Sequence, residues 1–156
     1  MSEIIFGKRA VFEALEKSIQ IDKVFMDKNS LHMDNIKRSI IEKKIKISFV
    51  PIEKLNTLTR KNHQGIIATI SPVKTFNLKD LEDAIDNKQS NFLILDNITD
   101  TKNFGAIVRS SECLGVNGII ISKTGCSPIN GDTIKSSSGA IFNLPIYKLD
   151  HIKDAI

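Results

Sequence analysis

The sequence predicts an α/β protein, and three observations carry that expectation. Segments with helical apolar spacing alternate with short runs rich in Ile, Val and Phe along the 156 residues. Two of those runs, FLILD at 92–96 and GIII at 118–121, bracket one helical pattern, the layout of a parallel strand, helix, strand crossover. The basic surplus is confined to the first half, so two regions of unlike character are joined in one chain.

Taken in order, Ala10, Val11, Ala14 and Leu15 recur at helical spacing within Ile4 to Leu15, and Gly7 supplies the turn into that helix. KVFMD at 23–27 reads as a strand. Ser30 is suited to cap a second helix that gathers Met33, Ile36, Ile40 and Ile41 on one side and leaves Lys37, Arg38, Lys43 and Lys44 largely outside it. IKISFV at 45–50 is the next strand, stopped by Pro51. A short helix with Ile52, Leu55 and Leu58, the polar loop TRKNHQ and the strand GIIATI complete an α/β unit. SPVKTFN at 71–77 has no clear period, and the charge balance changes sign across it. The expected division is therefore 1–73, a linker and lead-in helix at 74–89 with Leu78, Leu81 and Ile85, and 90–156. FLILD, almost continuously apolar, reads as a strand buried on both faces.

The net charge of +4 divides unevenly: 14 Lys+Arg against 8 Asp+Glu over 1–74, and 8 against 10 thereafter. A basic first half suits docking to a polyanion such as nucleic acid, although Lys-rich helix faces are also often merely solvated. The candidate contacts are Lys37, Arg38, Lys43, Lys44, Arg60, Lys61 and His63, the last either touching a partner or packing its own polar loop. No apolar run approaches the ~20 residues of a membrane span, and the start lacks a signal-peptide core. Cys113 and Cys126 have no metal-ligand spacing, so reduced thiols in the cytoplasm are expected. His32 and His151 are expected to face solvent, and no metal or nucleophile constellation is expected.

The segment after FLILD carries the chemistry. Asn103 is suited to cap its helix and Gly115 to end it, while Phe104, Ile107, Val108, Ser111 and Leu114 form the core stripe. Arg109 lies off that stripe, with Gly105, Ala106, Glu112 and Cys113 as its helical neighbours. A helical Gly costs ~1 kcal/mol against Ala, so close approach is expected at Gly105, with Gly105 and Ala106 small so that a substrate can come up to Arg109. Two readings remain for Arg109: it faces a pocket at the carboxyl ends of the strands, or it pairs with Glu112 or Asp96. SSSGA at 136–140 reads either as an anion-binding nest or as a turn into a strand.

LDNITDTKNFGAIVRSSECLGVNGIII resembles the first motif of the SpoU (TrmH) branch of the SPOUT RNA ribose 2′-O-methyltransferases: strand, Asp-rich loop, Asn, Gly, Arg and a small-residue helix. IIFGKRAVFEAL, NHQGIIATI and IKSSSGAIFNLPI are similar to further segments of that family in the same order. The resemblance implies a small α/β/α ribosomal-protein-like RNA-binding domain, then the first half of a Rossmann-like SPOUT α/β knot domain. It implies that Asn103 orients the target ribose and that Arg109 binds RNA phosphate and assists loss of the 2′-hydroxyl proton. It also implies structured rRNA or tRNA as substrate, S-adenosylmethionine as methyl donor and a homodimer for the complete family domain. The family's two later donor-binding motifs, one of Gly-x-Glu-x-x-Gly character and one containing Ser-Leu-Asn, are not found, so no cofactor-binding residue is assigned. The expectation is a chain cut before those motifs and the knot, inactive alone. The alternative is an RNA-binding remnant without activity.

Overall fold

The computed structural model describes residues 2–30, 32–85 and 90–156; positions 86–89 of the expected linker and lead-in helix lie outside the described residues. In the first half the elements are β1 (Glu3–Phe6), α1 (Lys8–Glu16), β2 (Ile21–Asp27), α2 (Asp34–Glu42), β3 (Ile47–Val50), α3 (Ile52–Leu58) and β4 (Ile66–Ile70). The sheet runs β1-β4-β2-β3, antiparallel except for the β2–β3 pair. Strand alternation sorts its side chains cleanly. Ile5, Val24, Met26, Ile66, Ala68 and Ile70 face α1 and α2, while Phe6, Phe25 and Ile67 meet Leu55 and Leu58 of α3 on the other face. This is the α/β/α layering the sequence implies.

The second half contains α4 (Leu78–Ile85), β5 (Phe92–Leu95), α5 (Thr101–Cys113), β6 (Gly118–Ser122), α6 (Gly131–Ser136) and β7 (Ile146–Leu149). Its three strands are parallel in the order β5-β6-β7, so the predicted crossover is present. Ile119, Ile121 and Ile146 join Phe104 and Val108 in one core that continues into the first half, whereas Ile120, Tyr147 and Leu149 pack with Leu81 on the α4 side.

Several expectations are corrected by packing. Residues Glu3–Phe6 form a strand before Gly7, which the helical reading of that region passed over. Ser30 does not cap α2: its Oγ donates to the carbonyl of Asp27 at 2.8 Å, closing the turn after β2, and the helix starts at Asp34 without a side-chain cap. Ile41 is 71% exposed, because α2 is covered only along Met33, Ile36 and Ile40. Leu114 is 81% exposed as the C-cap of α5, outside the stripe expected to bury it. β5 is an edge strand: Leu93 and Leu95 pack on one core and Phe92 on the other, but Ile94 is 36% exposed, so FLILD is covered on one face and only in part on the other. SSSGA leads into no strand: it ends α6, turns through left-handed Ser138 and Gly139, and enters a 3-10 turn at Ala140–Phe142.

Candidate functional site

α5 begins just beyond the carboxyl end of β5, the place where open α/β sheets present their functional groups. Its cap is Asp100, whose Oδ1 accepts from the backbone N–H of Asn103 at 2.8 Å. Asn103 is therefore not the cap. Asp serves as well as Asn there, and the helix starts early enough to place Asn103 in its first turn with the side chain exposed. Gly115 does follow the C-cap, at φ 72°.

Gly105 is buried against α6, where an added Cβ would stand 2.7 Å from Ser136 Cβ and 2.8 Å from the backbone nitrogen of Ser137. The close approach at Gly105 is thus helix-helix packing within the protein, and not the approach of substrate expected there. Ala106 is exposed. Arg109, one turn after Gly105, is exposed and opens onto a cleft of about 440 Å³ lined by Arg9, Glu13, Glu112, Ser138 and Asn143 among others. Its Nη1 donates to Ser138 Oγ across 3.4 Å, near the outer limit for such a bond.

The acids near Arg109 are engaged elsewhere. Glu13 pairs with Arg9 at 2.6 Å, and Glu112 accepts from Asn143 Nδ2 at 2.8 Å. Among the described residues, Arg109 forms no ion pair. Asn103 and Arg109 lie on one helix but are not side by side: six residues separate them by ~9 Å along the axis and ~120° around it.

The basic candidates of the first half fall into two groups. Lys37 and Arg38 belong to α2, and Lys43 and Lys44 to the turn that ends it, with Lys43 Nζ donating to Ser18 Oγ at 3.3 Å. Arg60 and Lys61 sit on the loop between α3 and β4, and Lys61 pairs with Asp132 of the second half. His63 is 6% exposed; Nε2 meets Asn56 Oδ1 at 3.0 Å, and Nδ1 accepts from the Gly65 N–H at 3.1 Å. Burial first, and then Lys135, holds its pKa below the ordinary value, with Asp27 opposing. With both ring nitrogens engaged, His63 packs its own loop, the second of its two sequence readings. His32 and His151 are exposed.

Residues 4–76 match the family profile described as RNA 2′-O ribose methyltransferase substrate binding, and residues 90–156 match that of the SpoU rRNA methylase family. A relative in Bacillus subtilis (strain 168), YacO, named for the TrmH family of tRNA/rRNA methyltransferases, is 31% identical over 96% of this chain and 62% of its own length. The chain belongs to the SpoU/TrmH family of RNA methyltransferases. It spans about three-fifths of the length of the curated relatives it matches. Among solved structures, an AdoMet-bound rRNA methyltransferase from Sinorhizobium meliloti is similar at TM-score 0.75 and 21% identity, over 99% of this chain and 57% of that one. The SpoU methyltransferase AviRb from Streptomyces viridochromogenes, with AdoMet, is similar at TM-score 0.75 and 18% identity, over 99% and 57%. These two likenesses establish a shared SPOUT fold.

Beyond β6 and β7, Lys123 pairs with Asp150 at 2.8 Å, and the backbone N–H of Ser127 donates to the Ile98 carbonyl at 2.7 Å, so these loops bond to one another. Among the described residues, no helix is long and apolar enough to cross a membrane.

Sequence reasoning missed Lys102 and Lys135, which the fold brings to the seam between the halves near Lys61. Lys102 directly precedes Asn103, and Lys135 precedes SSSG, but only the packing of α6 on β1 puts them together.

Proposed function

We propose that this chain serves ribose 2′-O-methylation of rRNA or tRNA in the cytoplasm. Residues 1–73 dock structured RNA, 74–89 connect, and 90–156 supply one wall of the catalytic site. The observation that carries this reading is Arg109: it is exposed, lies off the core, and has no ion pair among the described residues. A guanidinium so placed can grip an RNA phosphate through paired hydrogen bonds and stabilise negative charge growing on the ribose 2′-oxygen. An ordinary Arg does not act as the proton acceptor, since it remains protonated across the working pH range. Asn103, nearer the strand ends, orients the ribose. Lys37, Arg38, Lys43, Lys44, Arg60 and Lys61 neutralise phosphates, and a homodimer is the form of the complete family domain.

S-adenosylmethionine, as the donor in the complete family enzyme, supplies an electrophilic methyl group; this chain alone does not hold it at useful affinity. A second reading, RNA binding without methyl transfer, is supported by the loops beyond β6 and β7, whose polar groups bond to one another where a donor would need some of them free. Incubation with total RNA and radiolabelled S-adenosylmethionine separates the readings. Fused to the C-terminal portion of YacO, the chain should transfer label to RNA and leave the modified linkage resistant to alkali, because 2′-O-methylation removes the internal nucleophile. Label found only on bases would refute ribose chemistry. A fusion that binds S-adenosylmethionine and RNA but transfers nothing would favour the second reading.

A further inference from the structure

The two halves enclose a cleft of about 730 Å³ whose lining includes Phe6 and Lys61 from the first half and Lys102, Asp132, Lys135 and Ser136 from the second. Three ammonium groups face one carboxylate there, and Asp132 is already paired with Lys61. Lys135 is half-buried, and the groups its ammonium touches are neutral: Nζ donates to the Asn62 carbonyl and lies 5.1 Å from the centre of the Phe6 ring. A ring face and a carbonyl orient an ammonium without cancelling its charge. Burial pushes the Lys135 pKa below its ordinary value, with Asp132 opposing. Lys102 is exposed and forms no ion pair among the described residues. A partly desolvated cation whose nearest carboxylate is already shared with Lys61 carries a cost, and an anion that enters beside it offsets that cost.

The place of the cleft indicates which anion. Lys102 adjoins Asn103 in sequence and stands seven residues before Arg109, which puts Lys102 and Arg109 within ~20° on one face of α5 and ~10 Å apart along it. We propose that this cleft is a phosphate subsite for the RNA strand adjoining the target nucleotide, with Lys135 and Lys102 as its ligands and Phe6 as part of its apolar wall. The inference rests on the RNA reading above and extends it: RNA is held across the seam between the halves as well as by the first half.

The test is binding of a fluorescently labelled, transcribed tRNA to the full chain over a salt series. Counterion release gives a slope in log K against log salt of ~0.7–0.9 per phosphate neutralised. Lys102→Ala and Lys135→Met should each reduce the slope by about one such step, with Lys135→Arg restoring it. The variant Lys43→Ala/Lys44→Ala probes the α2 group independently. If that variant lowers the slope while the cleft variants match the parent, the subsite is overturned and the RNA reading survives. A flat dependence in the parent overturns the RNA reading itself. Should Lys135→Met fail to fold, Lys102→Ala and Lys102→Glu decide: charge reversal must weaken binding further than removal, and equal affinity in parent and both variants overturns the subsite.

Discussion

The two sheets differ in how they are covered. In the first half, β4 is central and nearly all its side chains are buried, with α1 and α2 on one face and α3 on the other. In the second half, β6 has the same central burial, but its neighbour β5 is an edge strand whose Ile94 faces outward. The first sheet has helices on both faces, and apolar exposure there is confined to its edge strands, at Ile4 of β1 and Phe49 of β3. The second shares its main core with the first half through Phe104, Val108 and Ile134. Coverage, more than strand hydrophobicity, separates the two: FLIL is as apolar as IIATI, and its setting decides how much of it is buried.

The largest expected effect breaks that comparison directly. Ile67 is fully buried between β4 and α3, beside Phe6 and Leu55. Ile67→Ala should cost about 2–5 kcal/mol, the range for truncating a buried aliphatic side chain with a residual cavity. Ile94→Ala, of identical chemistry, should cost less, about 1 kcal/mol, since part of the side chain is already in water and no closed cavity is left. Urea denaturation of the two variants measures both, and equal losses would show that β5 is covered in solution.

The helical periods and the two apolar strands of the crossover were legible because each depends on local spacing. The core stripe of α5 was read correctly at Phe104, Val108 and Ser111. Its start was not, because Asn103 and Asp100 are equally competent caps and only the helix's start decides between them. Gly105 was recognised as a point of close approach, but periodicity cannot say that α6 is what approaches. Edge position is similarly invisible to a single strand: nothing within FLILD reports which neighbours it lacks. The pairing of Lys61 with Asp132 and the seating of Lys135 on Phe6 join positions far apart in the chain, beyond the reach of any local pattern.

A smaller effect sharpens the comparison by making the first half sensitive to the second. His63 is held neutral: Nδ1 accepts from the Gly65 N–H, so a proton there would displace that bond, and Lys135 from the second half lies close enough to oppose the charge. Its folded pKa is depressed below the ordinary 6.5. The unfolded chain therefore takes up the proton first as pH falls. The contribution of this group is fully present above about pH 6.5 and is lost progressively as pH drops toward the folded value. Melting temperatures at pH 7.5 and pH 5.0 should fall more for the parent than for His63→Gln, which has no titrating ring. A drop of equal size in both would remove His63 from the acid response.

The smallest expected effect on stability belongs to Arg109, and its smallness is the informative part. An exposed guanidinium with one long contact to Ser138 gives the fold little to lose, so Arg109→Ala should change unfolding free energy by no more than roughly ±0.5 kcal/mol. RNA binding should behave differently. Loss of a phosphate grip lowers affinity and the salt slope, and Lys at this position should recover charge attraction without the planar fork that holds two phosphate oxygens. In the YacO fusion, Arg109→Ala should abolish methyl transfer while Arg109→Lys retains only a trace. The structural alternative makes the opposite pair of outcomes: if Arg109 braces the cleft with Glu13 or Glu112 in solution, the Ala variant melts lower and the fusion keeps much of its turnover. Thermal unfolding and single-turnover methylation measured on the same variants therefore discriminate, since a destabilised but active Arg109→Ala protein would assign this arginine to the fold, and a stable, inactive one to the RNA.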